Sequence, residues 1–147
     1  MGLIRRFEGL RLRSYLCPAG VWTIGYGSTG PDIVPGLTWT TEQSEQRAQG
    51  QAKTFILGTI GMCPVLREPD DTKTAAIADF AYNLGLTRLK GSTLRRKVNA
   101  RDWPGAQTEL RKWVFGGGVK LPGLVIRREV EAQMLGVKSD GPLTRIS

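Results

Sequence analysis

The chain has 147 residues, the size of one ordinary domain, and with 40% hydrophobic residues and four Trp it is a packed globule and not a disordered basic tail. It carries 21 Lys+Arg against 13 Asp+Glu, a net charge of +8, and no histidine, which excludes His-based triads, imidazole bases and His metal ligands. Its two cysteines, Cys17 and Cys63, make neither a Cys/His zinc site nor a disulfide scaffold and fit a cytosolic or freshly exported chain, so no metal and no cofactor is expected.

In chain order, Leu3, Ile4, Phe7 and Leu10 recur at helical spacing and predict a short amphipathic helix over 2–10, with Glu8 near its C-terminal end. Residues 14–27 change character. Ser14-Tyr15-Leu16-Cys17, the turn Pro18-Ala19-Gly20 and the β-branched and aromatic run Val21–Gly27 predict a β-hairpin. Residues 28–39 read as loop with room for a short third strand. Thr40 and Gln43 form a capping-box pattern ahead of a helix over 41–57, which Gly58, Gly61 and Pro64 are expected to break. Asp70 and Asp71 are N-cap candidates for a helix over 71–84 ended by Gly85. Its stretch Ala75–Leu84 is apolar nearly all round and marks the central buried helix. Ser92 caps a helix through Asn99, and Asp102 and Pro104 open another through Val114. Gly116-Gly117-Gly118 reads as a flexible break, Pro122–Leu135 as the last helix, ended by Gly136, and 137–147 as a loose tail. The order is α+β, with the strands segregated near the N-terminus and no internal repeat.

No apolar run approaches the ~18–20 residues of a membrane span. Met1–Arg6 lacks a secretory apolar core, and Arg6 stands where a myristoylation signal wants Ser or Thr. An export or anchor segment upstream of the first helix is left open.

Gly25-Tyr26-Gly27-Ser28-Thr29-Gly30 satisfies G-x-G-x-x-G after a strand. Pro31, Pro35 and Gly36 prevent a helix from starting there, so these read as turn glycines and not as a dinucleotide site. Arg5, Arg6, Arg11 and Arg13 surround Glu8, and residues 88–101 hold Arg88, Lys90, Arg95, Arg96, Lys97 and Arg101 with no acid. Such patches suit polyanions (nucleic acid, anionic lipid or cell wall) or are simply solvated helix faces, and no nucleic-acid motif with a clear recognition helix stands out. Glu8 reads either as a surface glutamate or as an acid partly screened from water; burial would help it hold a proton and the neighbouring arginines would oppose that. Cys17 reads as an inert buried thiol or as a reactive one lowered by its basic surroundings. Thr23 fits ordinary strand preference.

Taken together, Glu8, eight residues, Cys17, five residues and Thr23 have a spacing that resembles the catalytic triad of the phage lysozymes of glycoside hydrolase family 24. Phe7-Glu8-Gly9-Leu10-Arg11-Leu12 and Trp22–Gly27 resemble that family's signature segments, as do Phe80–Gly85, Ser92-Thr93-Leu94, Trp113 and Leu121–Leu124. The resemblance spans about residues 3–135. It is nearest to endolysins of the lambdoid phage 21 type and more distant to T-even phage lysozyme.

The resemblance implies a lysozyme-like fold in one domain, with a small hairpin lobe (about 12–57), a larger helical lobe (about 65–136, with helix 2–10) and a cleft between them. It implies a monomeric muramidase that cleaves the β-1,4 bond between N-acetylmuramic acid and N-acetylglucosamine with inversion. Such an enzyme is made in the host bacterial cytoplasm and acts on the wall in the periplasm. Glu8 is the implied general acid, Cys17 stands where the family usually has Asp, and Thr23 is the implied holder of the attacking water. Tyr15, Tyr26, Tyr82, Asn83 and Trp113 are placed along the saccharide. The expected partner is peptidoglycan, with no nucleic acid. Ser28 departs from relatives that have His there. Some relatives are held inactive by a disulfide on the catalytic Cys, for which Cys63 is the available partner here. The alternative reading is a catalytically disabled wall-binding or nucleic-acid-binding module of the same fold.

Overall fold

A computed structural model describes residues 2–68 and 71–137. The chain divides into two compact units, Met1–Thr54 and Phe55–Ser147, with the boundary inside one long helix. The α+β class holds: helices dominate, and the strands form two small antiparallel hairpins.

The first unit begins with α1, Gly2–Glu8, two residues shorter than expected because Gly9 takes a left-handed φ of +67°. The hairpin follows as β1, Arg11–Leu16, and β2, Trp22–Gly25. Its turn is built as the sequence dictates. The Gly20 amide donates to the Cys17 carbonyl (2.8 Å) and the Cys17 amide to the Val21 carbonyl (3.0 Å). Pro18 occupies the position that favours its fixed φ, and Gly20, at φ +78°, supplies the left-handed residue of a three-residue loop. The anticipated third strand is only an isolated bridge, Arg13 to Thr38, with the Trp39 amide donating to the Leu12 carbonyl (2.8 Å). The G-x-G-x-x-G glycines are turn residues: Ile24 and Ser28 exchange both backbone hydrogen bonds, and Gly25 and Gly27 have φ of +67° and +76°.

The long helix α2, Thr41–Met62, opens with the capping box. The Gln43 amide donates to Thr40 Oγ1 (3.0 Å), and the Thr40 amide to Gln43 Oε1 (2.8 Å). It does not end at residue 57. Gly58 and Gly61 continue the helix, and the role of Gly58 is close approach: a Cβ there would lie 2.6 Å from Leu86 Cδ1. Helix α1 lies in the first unit, where Arg5 reaches Glu45 of α2.

In the second unit α3, Thr72–Leu84, is the buried central helix. Asp71 caps it, accepting from the Lys73 amide, and Gly85 at φ +100° ends it. Asp70, the other expected cap, lies outside the described residues, as does the tail from 138. A short α4, Leu86–Lys90, unforeseen in the sequence, leads to α5, Thr93–Asn99, capped by Ser92 Oγ on the Arg95 amide (3.0 Å). Helix α6, Trp103–Leu110, is capped by Asp102 and stops four residues before the expected Val114. The Gly116–Gly118 stretch is no flexible break. It turns a hairpin between β3, Phe115–Gly116, and β4, Val119–Lys120, and the positive φ of both Gly117 (+58°) and Gly118 (+80°) is that of a type I′ turn. Helix α7, Pro122–Leu135, closes the unit and packs on α3 and α6. Ile77, Phe80, Leu89, Leu94, Leu110 and Leu135 are fully buried at its core. Between α3 and α7 lies a buried charge cluster. Arg127 donates to both oxygens of Asp79 (2.9 and 2.8 Å), and Arg128 pairs with Glu131 while stacking over Phe80.

Candidate active site

Glu8 ends α1 and is half-buried. Its carboxylate lies against the Gly25-Tyr26-Gly27 turn: a Cβ on Gly27 would stand 2.8 Å from Glu8 Oε2. The bare turn backbone is what admits the acid, which gives the second glycine of the G-Y-G run a spatial reason beyond its φ.

The hairpin supplies the next groups by register. Tyr15 pairs with Thr23, so the two share one face, and Cys17, two residues beyond Tyr15, returns to that face. Burial pushes the Tyr15 phenol up, and Arg11, stacked 4.4 Å over its ring, pulls it back down. The charges of Glu8 and Cys17 also raise it, so Tyr15 lies within the field of both groups. Thr23 is buried, and its hydroxyl donates to the Val21 carbonyl (2.9 Å). The half-exposed Cys17 thiol is drawn below its ordinary value, first by the Val21 N–H. The N–H groups of Ala19 and Gly20 and the Thr23 hydroxyl act in the same direction, against a smaller burial effect. The tight turn is thus a local source of acidity for this thiol.

Cys63 is the opposite case. It sits fully buried in the helical core, and burial pushes its thiol up to about 11. Both thiols are free. With an alkylating reagent near neutral pH, we expect one equivalent to add quickly at Cys17 and Cys63 to react only after denaturation. Equal labelling of both in the native protein contradicts this; peptide mapping gives the answer.

Tyr26 is buried, and its hydroxyl donates to Glu45 Oε1 (2.9 Å). The same carboxylate receives Arg5, with Nε 3.0 Å from Oε1 and Nη2 2.5 Å from Oε2. Sequence reasoning missed Glu45, because its partners are 40 and 19 residues away. The only available signal was the capping box, which fixes where its helix begins. Ser28 donates to Gln51 Oε1 (2.8 Å) and is buried.

The second unit holds the other three expected saccharide residues. Tyr82 is half-buried, edge-on to Phe55 at 5.4 Å. Asn83 follows it on α3, its Oδ1 buried with no hydrogen-bond partner. Trp113 packs edge-on against Phe80 at 5.4 Å. Among the described residues no group of three or more His, Cys, Asp or Glu could hold a metal ion, and no helix is long and apolar enough to cross a membrane.

An acid at the end of a short helix, a polar hairpin face and a separate helical unit match a lysozyme-like fold and the glycoside hydrolase class. The family model described as phage lysozyme matches residues 5–131, and the chain belongs to the phage lysozyme family. It is 40% identical over 135 residues to the endolysin of Acyrthosiphon pisum secondary endosymbiont phage 1, covering 88% of this chain and 89% of that protein. It is 33% identical over 127 residues to the SAR-endolysin of Enterobacteria phage P21, covering 86% and 76%. Among solved structures, the endolysin from Escherichia coli O157:H7 phage FAHEc1 superposes with a TM-score of 0.78 at 30% identity, covering 91% of this chain and 88% of the other.

Proposed function

We propose that this muramidase is an endolysin that hydrolyses the β-1,4 bond between N-acetylmuramic acid and N-acetylglucosamine, with Glu8 as general acid. The observation that carries the reading is the setting of Glu8, half-buried at a helix end, its carboxylate close against a turn that carries no side chain at Gly27. Glu8 protonates the leaving glycosidic oxygen. Thr23 holds the attacking water. Cys17, held toward the thiolate by the N–H groups of its turn, takes the part of a carboxylate, stabilising positive charge on the sugar or accepting the proton of the water. Water enters opposite the leaving group, so the anomeric configuration inverts. Tyr15, Tyr82, Asn83 and Trp113 contact the saccharide, with Tyr26 as support.

The net charge of +8 concentrates the enzyme on the carboxylates and phosphates of the wall and slows it at high salt. The protein acts as a monomer on the periplasmic wall after synthesis in the host cytoplasm.

The test is the anomer of the first product. Proton NMR during hydrolysis of purified peptidoglycan should show the α-anomer first, and initial β-anomer overturns the inverting scheme. Beside it, Cys17→Asp should keep activity and Cys17→Ser should lose most of it. Parental activity in Cys17→Ser removes Cys17 from the mechanism.

A further inference from the structure

We propose that the groove where α4 meets α5 is a binding site for a phosphate monoester. The inference is independent of which residues cleave the glycosidic bond. The groove has a volume of about 570 Å³, and its lining includes Lys90, Ser92, Arg95, Arg96 and Asn99, all in the second unit. That volume falls within the range of small-molecule sites. Three of these side chains are cations, and among the described residues no Asp or Glu lines the groove. It is the folded form of the basic stretch over 88–101, none of whose residues has a part in the cleavage reaction.

Other surface cations are neutralised: Arg5 by Glu45, Arg47 by Asp32, Arg111 by Glu129 and Lys112 by Glu109. Among the described residues no carboxylate pairs with Lys90, Arg95 or Arg96. The two arginines are held by neutral oxygens instead. Arg95 Nε donates to the Met62 carbonyl (2.9 Å) at the end of α2, and its Nη1 donates to the Lys90 carbonyl (3.3 Å). Arg96 Nη2 donates to Thr93 Oγ1 (2.7 Å), and Asn99 Nδ2 shares the Met62 carbonyl (3.0 Å). Such bonds fix the guanidinium groups without cancelling their charge. Three like charges around one groove repel each other, and a bound anion removes that cost. The count selects the anion. A carboxylate offsets one charge of the three, whereas a phosphate monoester carries about −1.5 to −2 near neutral pH and offers three acceptor oxygens. Guanidinium groups meet phosphate with paired donors. None of the lining residues is aromatic, so the groove has no surface on which a nucleic-acid base could stack. The ligand chemistry is therefore that of a phosphate monoester, free in solution or carried as a lipid headgroup.

The experiment titrates the whole ¹⁵N-labelled chain with glycerol 3-phosphate at constant ionic strength and follows the amide resonances. Saturable shifts centred on residues 90–100 are expected. Lys90 and Arg96 are both exposed, and the double variant Lys90→Gln, Arg96→Gln should weaken binding by about tenfold or more. The control Lys53→Gln, Lys120→Gln removes the same charge from two other exposed positions and should bind like the parent. Shifts that do not saturate, or that spread over the surface, overturn the proposal. So does equal weakening in the control, which means that net charge alone attracts the ligand. If the double variant does not fold, Lys90→Gln alone replaces it, with a smaller loss expected and no loss as the overturning result. Sedimentation with phosphatidylcholine vesicles, with and without phosphatidic acid, then identifies the source. A parent that sediments only with phosphatidic acid, and a double variant that does not, mark a lipid headgroup. A parent that stays in solution yet binds glycerol 3-phosphate marks a soluble ester. Either result keeps the phosphate site.

Discussion

Replacing Glu8 by Gln should lower the release of reducing ends from purified peptidoglycan by about two to four orders of magnitude, the range general acid catalysis contributes. The amide has the shape of the carboxyl, so it still fits against Gly27, where the space is already tight. It has no acidic proton to give to the departing oxygen. Glu8 ends a seven-residue helix and is only half-buried, so the melting temperature should stay within a few degrees of the parent. A folded Glu8→Gln with more than a tenth of parental activity shows that the proton comes from another group. Lost activity together with a lost fold calls for Glu8→Asp, which keeps an acid but draws it back by one methylene and should retain partial activity.

The second large effect concerns stability. Asp79→Asn should destabilise the protein by about 3–5 kcal/mol, the cost of breaking a buried pair by removing one partner. Arg127 and Asp79 have side-chain exposures of only 4% and 2%, so the guanidinium loses a charged partner in a place that water does not reach. For a chain of this length that corresponds to a fall in Tm of roughly 10 °C, measurable by calorimetry. A change under 3 °C means that water or Glu131 takes over the pairing.

The pH dependence has a definite sign. Burial pushes the Asp79 carboxyl up, but the hydrogen bonds and charges of Arg127, joined by Glu131 and Arg128, outweigh it and leave it lowered. Its contribution is therefore present above the ordinary Asp range and is lost as pH falls through the lowered folded value. Glu131 runs the other way. Burial raises it well above its ordinary value, so stability falls as pH climbs past the ordinary Glu range, where the unfolded chain ionises and the folded one resists.

Much of this was legible in the residues. Capping is chemistry between near neighbours, so Thr40 with Gln43, Asp71, Ser92 and Asp102 marked their helices correctly. The hairpin turn was readable because Pro and Gly each allow few backbone conformations. Glycine was also the main source of error, since one residue type serves opposite ends. Gly58 looked like a helix breaker and is a contact point for Leu86. Gly117 and Gly118 looked like slack and form a tight hairpin turn. The residues that distinguish these outcomes lie far away in sequence. The same holds at the site: Glu8, Cys17 and Thr23 stood out by spacing, whereas Glu45 is defined by partners that only the folded chain brings to it.

Gly27 carries a lesson about descent. Its positive φ alone would leave asparagine as a tolerable substitute, since that residue visits left-handed backbone more readily than most. A β-carbon there would also stand 2.8 Å from Glu8 Oε2 and push the carboxylate off the turn. Two selective pressures therefore converge on one codon, and only one of them belongs to the turn. In a lineage that gave up catalysis and lost the acid, the spatial pressure would lift while the conformational one remained, and drift from glycine to asparagine at this position would be the signature of an abandoned enzyme.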